Sequence, residues 1–185
     1  MSKEEMKFKF IEDLLKERII YLEGEINFNM VNKLEKMLLW LIAQDKNKEI
    51  TTYLNSPGGF ISSGLDMYNL FKHFIGKGTP ITTIVTQRAN SIAVVALQAA
   101  SARKAIKSTT FYLHNSVLTV EKEWDEFEEK AKKELEGIKK AQEEVWRILS
   151  QRTIVDIEKI KQLHKEKKTI SAEEAKEYGL IDEII

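Results

Sequence analysis

Two hydrophobic patterns alternate along residues 18–114, and this alternation constrains the fold more than any other feature of the sequence. Short runs rich in β-branched and aromatic residues are typical of strands, whereas longer stretches with an apolar residue at every third or fourth position are typical of helices. Strands that alternate with helices pair mostly in parallel, and right-handed crossovers place the helices on the faces of the sheet. We therefore predict an α/β fold with a mainly parallel sheet and flanking helices.

The predicted elements follow directly from these patterns. Strands are predicted at 18–23, 50–54, 81–85 and 109–114. Helices are predicted around 11–15, at 30–43, around 65–74, from 91 to 101 and, as one long charged helix, from about 121 to 152. Because the last helix is long for a domain of this size, we expect part of its apolar stripe to contact another subunit. The alternative is a solvated helix that lies along its own domain.

Two segments near the C-terminus have the spacing of a capping box, in which two side chains bond reciprocally to backbone N–H groups at a helix start. Thr153 with Asp156 predicts the start of a short helix, and Ser171 with Glu174 predicts the start of another. Gly179 is predicted to end the last helix, and K-E-K-K (165–168) is predicted to be a solvated loop.

Charge and cysteine content exclude several classes of function. The 29 basic and 29 acidic residues balance, so no net field attracts nucleic acid or an anionic membrane. The absence of cysteine excludes disulfides, cysteine nucleophiles and thiolate metal sites, and we expect no cofactor. Neither a signal peptide nor an apolar run long enough for a membrane span is found, so a cytoplasmic location is expected. At this length we predict a single domain, 1–185.

Three features that could take part in catalysis fall at the ends of predicted strands. N-S-P-G-G (55–59) follows the second strand, Ser91 follows the third, and His114 ends the fourth. In a parallel sheet these ends share one edge, where a nucleophile, a base and oxyanion-binding amides could meet. Each feature also has an ordinary structural interpretation: Ser91 as a helix N-cap, S-P-G-G as a turn, and His114 as a hydrogen-bonded residue at a sheet edge.

The combined pattern resembles that of the ClpP peptidases. The segments that carry the resemblance, in that family's order and approximate spacing, are L-L-K-E-R-I-I-Y-L (14–22), N-S-P-G-G (55–59), A-N-S-I-A (89–93), Y-L-H-N-S (112–116) and S-A-E-E-A-K-E-Y-G-L-I-D (171–182). The resemblance covers about residues 14–185. It implies the ClpP/crotonase fold, with a handle region (about 115–152) and a heptameric ring that stacks into a tetradecameric barrel around an inner chamber.

The resemblance also implies a role for each residue of the site. Ser91 would be the nucleophile, His114 the general base, and the backbone N–H groups of Gly59 and Ile92 the oxyanion hole. The implied reaction is hydrolysis of peptides or unfolded polypeptides through an acyl-enzyme. A Clp-type ATPase is the implied partner, besides copies of the chain itself.

The acid of the family's catalytic triad does not carry over. Counting back from S-A-E-E-A, its position is Leu163, and a leucine cannot orient an imidazole. A shift of one residue would bring in His164, and larger shifts would bring in Asp156 or Glu166.

The handle and the N-terminus also differ from the family pattern. V-L-T-V-E-K-E-W (117–124) stands where the family has a Gly-rich segment, so ring stacking and substrate binding are expected to differ. The N-terminal segment is short, which leaves dependence on an ATPase open.

Two other functions stay open on the sequence alone. One is a catalytically impaired ClpP-like scaffold or regulatory subunit, which Leu163 favours. The other is a crotonase-type acyl-CoA enzyme, which uses the same pair of oxyanion-binding amides. The absence of an acyl-CoA-binding signature favours the peptidase.

Overall fold

The computed structural model describes residues 3–116 and 127–185, and helices alternate with strands over most of them. The strands are β1 (Ile19–Glu23), β2 (Ile50–Ser56), β3 (Ile81–Asn90), β4 (Ala102–Ala105), β5 (Thr110–Tyr112), β6 (Thr169–Ser171) and β7 (Glu183–Ile184). The helices are α1 (Lys3–Lys16), α2 (Phe28–Gln44), α3 (Ile61–Gly76), α4 (Ile92–Leu97), α5 (Phe127–Arg152), α6 (Ile157–Glu166) and α7 (Ala172–Glu177).

The described strands form one sheet with the order β1-β2-β3-β4-β7. Each neighbouring pair along this path is parallel. β5 adds to β3 in parallel, and β6 pairs with β5 antiparallel. The predicted α/β fold with a mainly parallel sheet and flanking helices is therefore confirmed.

β3 connects the two parts of the sheet, because it changes partners along its length. Its first half pairs with β4 from Thr82 to Val85, and its second half pairs with β5 from Arg88 to Asn90. The second half, T-Q-R-A-N, lacks the apolar alternation of a strand, which is why the prediction of 81–85 was too short. The pairing with β5 keeps it extended and delivers Ser91 beside the end of β5.

Three strands were not predicted: β4, β6 and β7, the last of which covers only two residues. β4 has the sequence A-R-K-A, which carries no strand pattern, and it follows the helix predicted at 91–101, which ends at Leu97 in the structure. It is held between β3 and β7, where the Arg103 side chain bonds to Asp182 and to the carbonyl of Gly179. β6 covers three residues, too few for a period to show. Tertiary pairing, not local preference, makes all three strands.

The first predicted capping box, Thr153 with Asp156, is wrong. The Thr153 hydroxyl donates to the Leu149 carbonyl at 2.8 Å, at the end of α5. Asp156 is itself the N-cap of α6, because its side chain accepts from the Lys159 N–H at 2.8 Å. The error arose because both residues are good cap formers and the sequence does not say which one caps.

The second predicted capping box, Ser171 with Glu174, is confirmed, since both reciprocal bonds are present. Gly179 follows the end of α7 with φ 72°, as predicted for a helix stop. The predicted loop at 165–168 is exposed, but α6 extends two residues into it, to Glu166.

The two longest helices meet the sheet through one buried face each. α2 begins at the N-cap Asn27 and buries its leucines at helical spacing: Leu34, Leu38 and Leu41. α5 buries Val145, Ile148 and Leu149 in its second half, whereas Leu135 in its first half is 42% exposed. The predicted start of this helix, 121–126, and the segment 117–124 both lie outside the described residues. Within the described ranges, no helix is both long and apolar enough to cross a membrane.

Candidate active site

Ser91 lies where β3 ends and α4 begins. Its backbone has φ 54° and ψ −128°, a conformation that residues other than glycine rarely adopt. The Ser91 N–H donates to the Tyr112 carbonyl at 2.6 Å, so the end of β5 fixes this junction. Ser91 occupies the N-cap position of α4, but its side chain makes no capping hydrogen bond. The hydroxyl is therefore not engaged as an ordinary helix cap.

The N-S-P-G-G loop packs directly against Ser91. Gly58 has φ 100°, and a Cβ added there would lie 2.8 Å from the Ser91 Cβ and 2.8 Å from the Asn90 carbonyl oxygen. The Gly58 N–H donates to the Ser56 hydroxyl at 3.1 Å, which closes the turn. Only glycine satisfies both the backbone angle and the close approach to the serine.

Gly59, the first predicted oxyanion donor, is held by backbone bonds to Ile26. The Ile26 N–H donates to the Gly58 carbonyl at 2.8 Å, and the Phe60 N–H donates to the Ile26 carbonyl at 3.0 Å. These two bonds form a backbone brace between Gly59 and Ile26. A Cβ on Gly59 would lie 2.2 Å from the Ile26 carbonyl oxygen, so the brace requires glycine at position 59. The N–H of Gly59 takes part in neither bond.

Ile92, the second predicted oxyanion donor, is the first residue of α4, so its N–H has no acceptor within that helix. Among the described backbone bonds outside regular elements, none uses the N–H of Gly59 or of Ile92. Gly64 of α3 sets the position of Ile92, because a Cβ there would lie 2.0 Å from the Ile92 Cγ1.

Ser91, His114, Gly59 and Ile92 line one cleft of about 590 Å³. The structure therefore brings together the four site residues predicted from the sequence. Most of the remaining lining is apolar and comes from the loop before α3, from α3, from α4 and from α5: Pro57, Phe60, Ile61, Leu65, Val95, Ile138, Ala141 and Val145.

His114 lies two residues after β5 and is half-buried, with its ring centroid 5.5 Å from that of Tyr112. Its Nδ1 lies 2.7 Å from the backbone carbonyl oxygen of Asn115. A carbonyl oxygen can only accept, so Nδ1 carries a hydrogen, and in the neutral ring Nε2 then keeps a lone pair. That is the tautomer a base needs to take a proton from a serine. Within the described residues Ser91 Oγ makes no hydrogen bond to the ring, a bond that often tightens only when substrate is bound.

No carboxylate is found among the described residues that line the cleft. Leu163 is buried in the hydrophobic core and is 2% exposed. Asp156 caps α6, and Glu166 accepts from the Gln162 amide at 2.6 Å on an exposed surface. Neither acid lines the cleft, so neither takes the place of the family's aspartate.

His164 is the alternative third group that reaches the cleft. It is 3% exposed, and its Nδ1 donates to the Ile160 carbonyl at 2.8 Å, which leaves Nε2 as an acceptor. Burial lowers the pKa of His164 below its ordinary value; the bond to Ile160 opposes this shift and the nearby His114 adds to it. The ring of His164 is therefore neutral at neutral pH.

Sequence reasoning missed two residues of the site. The Gln142 Oε1 on α5 accepts from the Ser116 N–H at 2.8 Å and from the Ser116 hydroxyl at 2.7 Å. Nothing local distinguishes this glutamine within a charged helix. Gly64 did carry a signal, since a glycine inside a helical pattern often marks a close contact.

The sequence also matches a model of a protein family. The family model described as Clp protease matches residues 2–185, which is essentially the whole chain and includes every segment that forms the cleft. The match supports a ClpP-like peptidase at the level of the family. This chain belongs to the Clp protease family.

Proposed function

We propose that this chain is a serine endopeptidase that hydrolyses peptides or unfolded polypeptides through an acyl-enzyme. Nε2 of His114 takes the proton of the Ser91 hydroxyl as Oγ attacks the scissile carbonyl, and the ring then gives that proton to the leaving amine. The N–H groups of Gly59 and Ile92 stabilise the oxyanion. The same ring then takes a proton from a water molecule as that water attacks the ester, and it returns the proton to Oγ as the bond between Oγ and the acyl carbon breaks and the acid leaves.

The observation that carries the proposal is the backbone of Ser91. A residue held at φ 54° and ψ −128° costs about 1–3 kcal/mol, and the serine recovers none of this by capping α4. A strained turn from strand to helix is a known way to expose a nucleophilic serine. The N–H groups of Gly59 and Ile92 beside it, which make no backbone bond outside regular elements among the described residues, add support.

Covalent labelling with a fluorophosphonate tests the nucleophile. We expect the wild type to be labelled and Ser91→Ala to be unlabelled, because only an activated serine reacts. Ser150→Ala is the matched control, since Ser150 is on α5 and its hydroxyl donates to the Arg147 carbonyl. Label that persists in Ser91→Ala would overturn the assignment.

The absence of a carboxylate among the described lining residues favours a second candidate, a catalytically impaired scaffold or regulatory subunit. Loss of the acid from a complete triad lowers turnover by about 10⁴. Turnover of a fluorogenic peptide by the wild type but not by Ser91→Ala would rule this candidate out. Absence of both turnover and label from folded wild-type protein would favour it.

Assembly into a ring is part of the proposal. Members of this family generally form self-assembled rings, and the first half of α5 leaves Leu135 42% exposed. We expect a neighbouring subunit to cover this surface in a heptameric ring, stacked in pairs around a chamber into which the clefts open, with a Clp-type ATPase as a further partner. Light scattering at micromolar concentration tests the ring, and a monomeric mass would contradict it.

A further inference from the structure

We infer that Gln142 is a positioning residue for the general base: it holds the chain after His114 so that a main-chain carbonyl, in place of a carboxylate, fixes the tautomer of the imidazole. The inference rests on the proposed function, in which His114 is the base. It addresses the missing acid, because Leu163 lies in the core and the described part of the cleft contains no carboxylate.

The His114 ring donates a hydrogen bond to the main chain of the residue that follows it. Nδ1 lies 2.7 Å from the Asn115 carbonyl oxygen, at the end of the ring where a triad aspartate would otherwise accept. A carbonyl oxygen is a weaker hydrogen-bond acceptor than a carboxylate, but it selects the same tautomer of the imidazole. It can do so only if its peptide plane is held in one orientation.

Gln142 supplies that constraint. The Ser116 N–H belongs to the same planar peptide unit as the Asn115 carbonyl, and in a trans peptide the two groups point in opposite directions. Gln142 Oε1 accepts from this N–H at 2.8 Å, which directs the carbonyl away from α5 and toward the ring. A bond to the N–H also polarises the carbonyl of the same unit and strengthens it as an acceptor.

The glutamine is itself well held. It is 8% exposed on the part of α5 that packs against the domain, beside the buried Val145. Its Oε1 accepts a second bond from the Ser116 hydroxyl at 2.7 Å, so the acceptor has two donors from one residue. This geometry forms a chain of bonds from α5 through Ser116 and Asn115 to His114.

His164 is the competing explanation. His164 lines the same cleft, and its Nε2 accepts no hydrogen bond from the residues that the structure describes, so it could receive the His114 Nδ1–H if the ring moved. In the structure that hydrogen is already donated to the Asn115 carbonyl. The experiment therefore has to separate a role of Gln142 from a role of His164.

Paired variants at positions 142 and 116 make the separation. Gln142→Leu removes the acceptor, whereas Gln142→Glu keeps it. Ser116→Pro removes the N–H of the peptide unit, whereas Ser116→Ala keeps that N–H and loses only the hydroxyl. Gln151→Leu, the same change on α5 outside the cleft, is the matched control.

Two measurements are made on each variant. Ring ¹⁵N shifts in histidine-labelled protein report the tautomer of His114, and the spectrum is simple because the chain has three histidines. Peptide hydrolysis gives kcat and KM separately. We expect Gln142→Leu and Ser116→Pro to lose the single Nδ1–H tautomer and to lower kcat about 100-fold with KM nearly unchanged, as for a misplaced catalytic group. Gln142→Glu and Ser116→Ala, which keep the Ser116 N–H and an acceptor for it, should keep the single tautomer. Gln151→Leu should resemble the wild type in both measurements.

An unchanged tautomer in both Gln142→Leu and Ser116→Pro, with each folded, would overturn the inference. So would a tautomer that changes in His164→Phe and not in Gln142→Leu. The tautomer is measured without substrate, so it stays informative if Ser91-dependent turnover is absent. A tautomer that depends on Gln142 in a protein without turnover would support the inference and contradict the proposed function alone.

Discussion

Replacing Gly64 with alanine tests whether the contact between α3 and α4 positions the Ile92 amide. The added Cβ would lie 2.0 Å from the Ile92 Cγ1 and 3.0 Å from its Cβ and Cγ2. Carbon atoms in contact are about 3.5–4.0 Å apart, so the closest pair must separate by about 1.5 Å. A change of rotamer cannot relieve all of this, because the Cβ does not move and a β-branched side chain in a helix has one strongly preferred rotamer.

The expected effect on stability is small because two terms oppose each other. Overpacking a core contact costs about 1–3 kcal/mol. Alanine inside a helix is favoured over glycine by about 1 kcal/mol, so the net loss is about 0–2 kcal/mol. Gly64→Ala should therefore fold, with a modestly lowered melting temperature.

The expected effect on activity is large because Ile92 begins α4 and its N–H is a proposed oxyanion donor. Moving a catalytic group by about 1 Å costs about 100-fold, and losing an oxyanion donor costs about 10²–10³-fold in kcat. We expect kcat to fall by about 100-fold. The small fraction of Gly64→Ala molecules that is unfolded under the assay conditions would account for very little of this loss.

The assay pairs thermal melting with peptide hydrolysis, and Gly76→Ala is the matched control. Gly76 lies at the end of the same helix, and a Cβ there meets nothing within 4 Å. In a double-mutant cycle, Ile92→Ala keeps the amide and removes the Cγ1 and Cγ2 atoms, and with them the closest contact, so the pair should show favourable coupling. Wild-type kcat in a folded Gly64→Ala variant would refute the reasoning.

Three further predictions concern stability. The buried Arg18 guanidinium donates to the carbonyls of Leu41, Asp45, Lys48 and Glu49, so Arg18→Met should lower the free energy of unfolding by about 3 kcal/mol in urea titrations; a loss below about 1 kcal/mol would contradict this. The lowered pKa of His164 means that the unfolded chain binds more protons there, so stability falls as pH drops below the ordinary value of 6.5. Melting curves between about pH 7 and 5 should show a shallower dependence for His164→Gln, and an unchanged slope would exclude His164 as its source. Ser171→Ala should cost about 1 kcal/mol in thermal melts through loss of the capping box, whereas a variant as stable as the wild type would show that the box contributes little.

The parts of the fold that could be predicted are those with a local signature. The leucines of α2 repeat at helical spacing, and Ser171 with Glu174 forms a reciprocal cap within four residues. Such patterns depend on neighbours in the chain, so the sequence alone is sufficient. The strand β4 has no such pattern, because its extended form depends on Arg103 and on pairing with distant strands.

The candidate site divides in the same way. Ser91, His114 and the glycine loop were predicted because strand ends in a parallel sheet share an edge. The φ of Ser91 and the bonds of Gln142 to Ser116 could not be predicted, since both depend on how β5 and α5 pack. Leu163 showed that the family's catalytic acid is missing. The group that bonds to His114 in its place, the Asn115 carbonyl, could be found only from the structure.

The brace between Gly59 and Ile26 affects how variation in this chain should be interpreted. Both bonds of the brace use backbone atoms of Ile26, while its side chain is fully buried. A mutational scan would therefore detect Gly59, whose missing Cβ is essential, but at position 26 it would report only the fit of a core side chain. Detecting the brace needs a change to the main chain itself, such as an ester in place of the amide at residue 26.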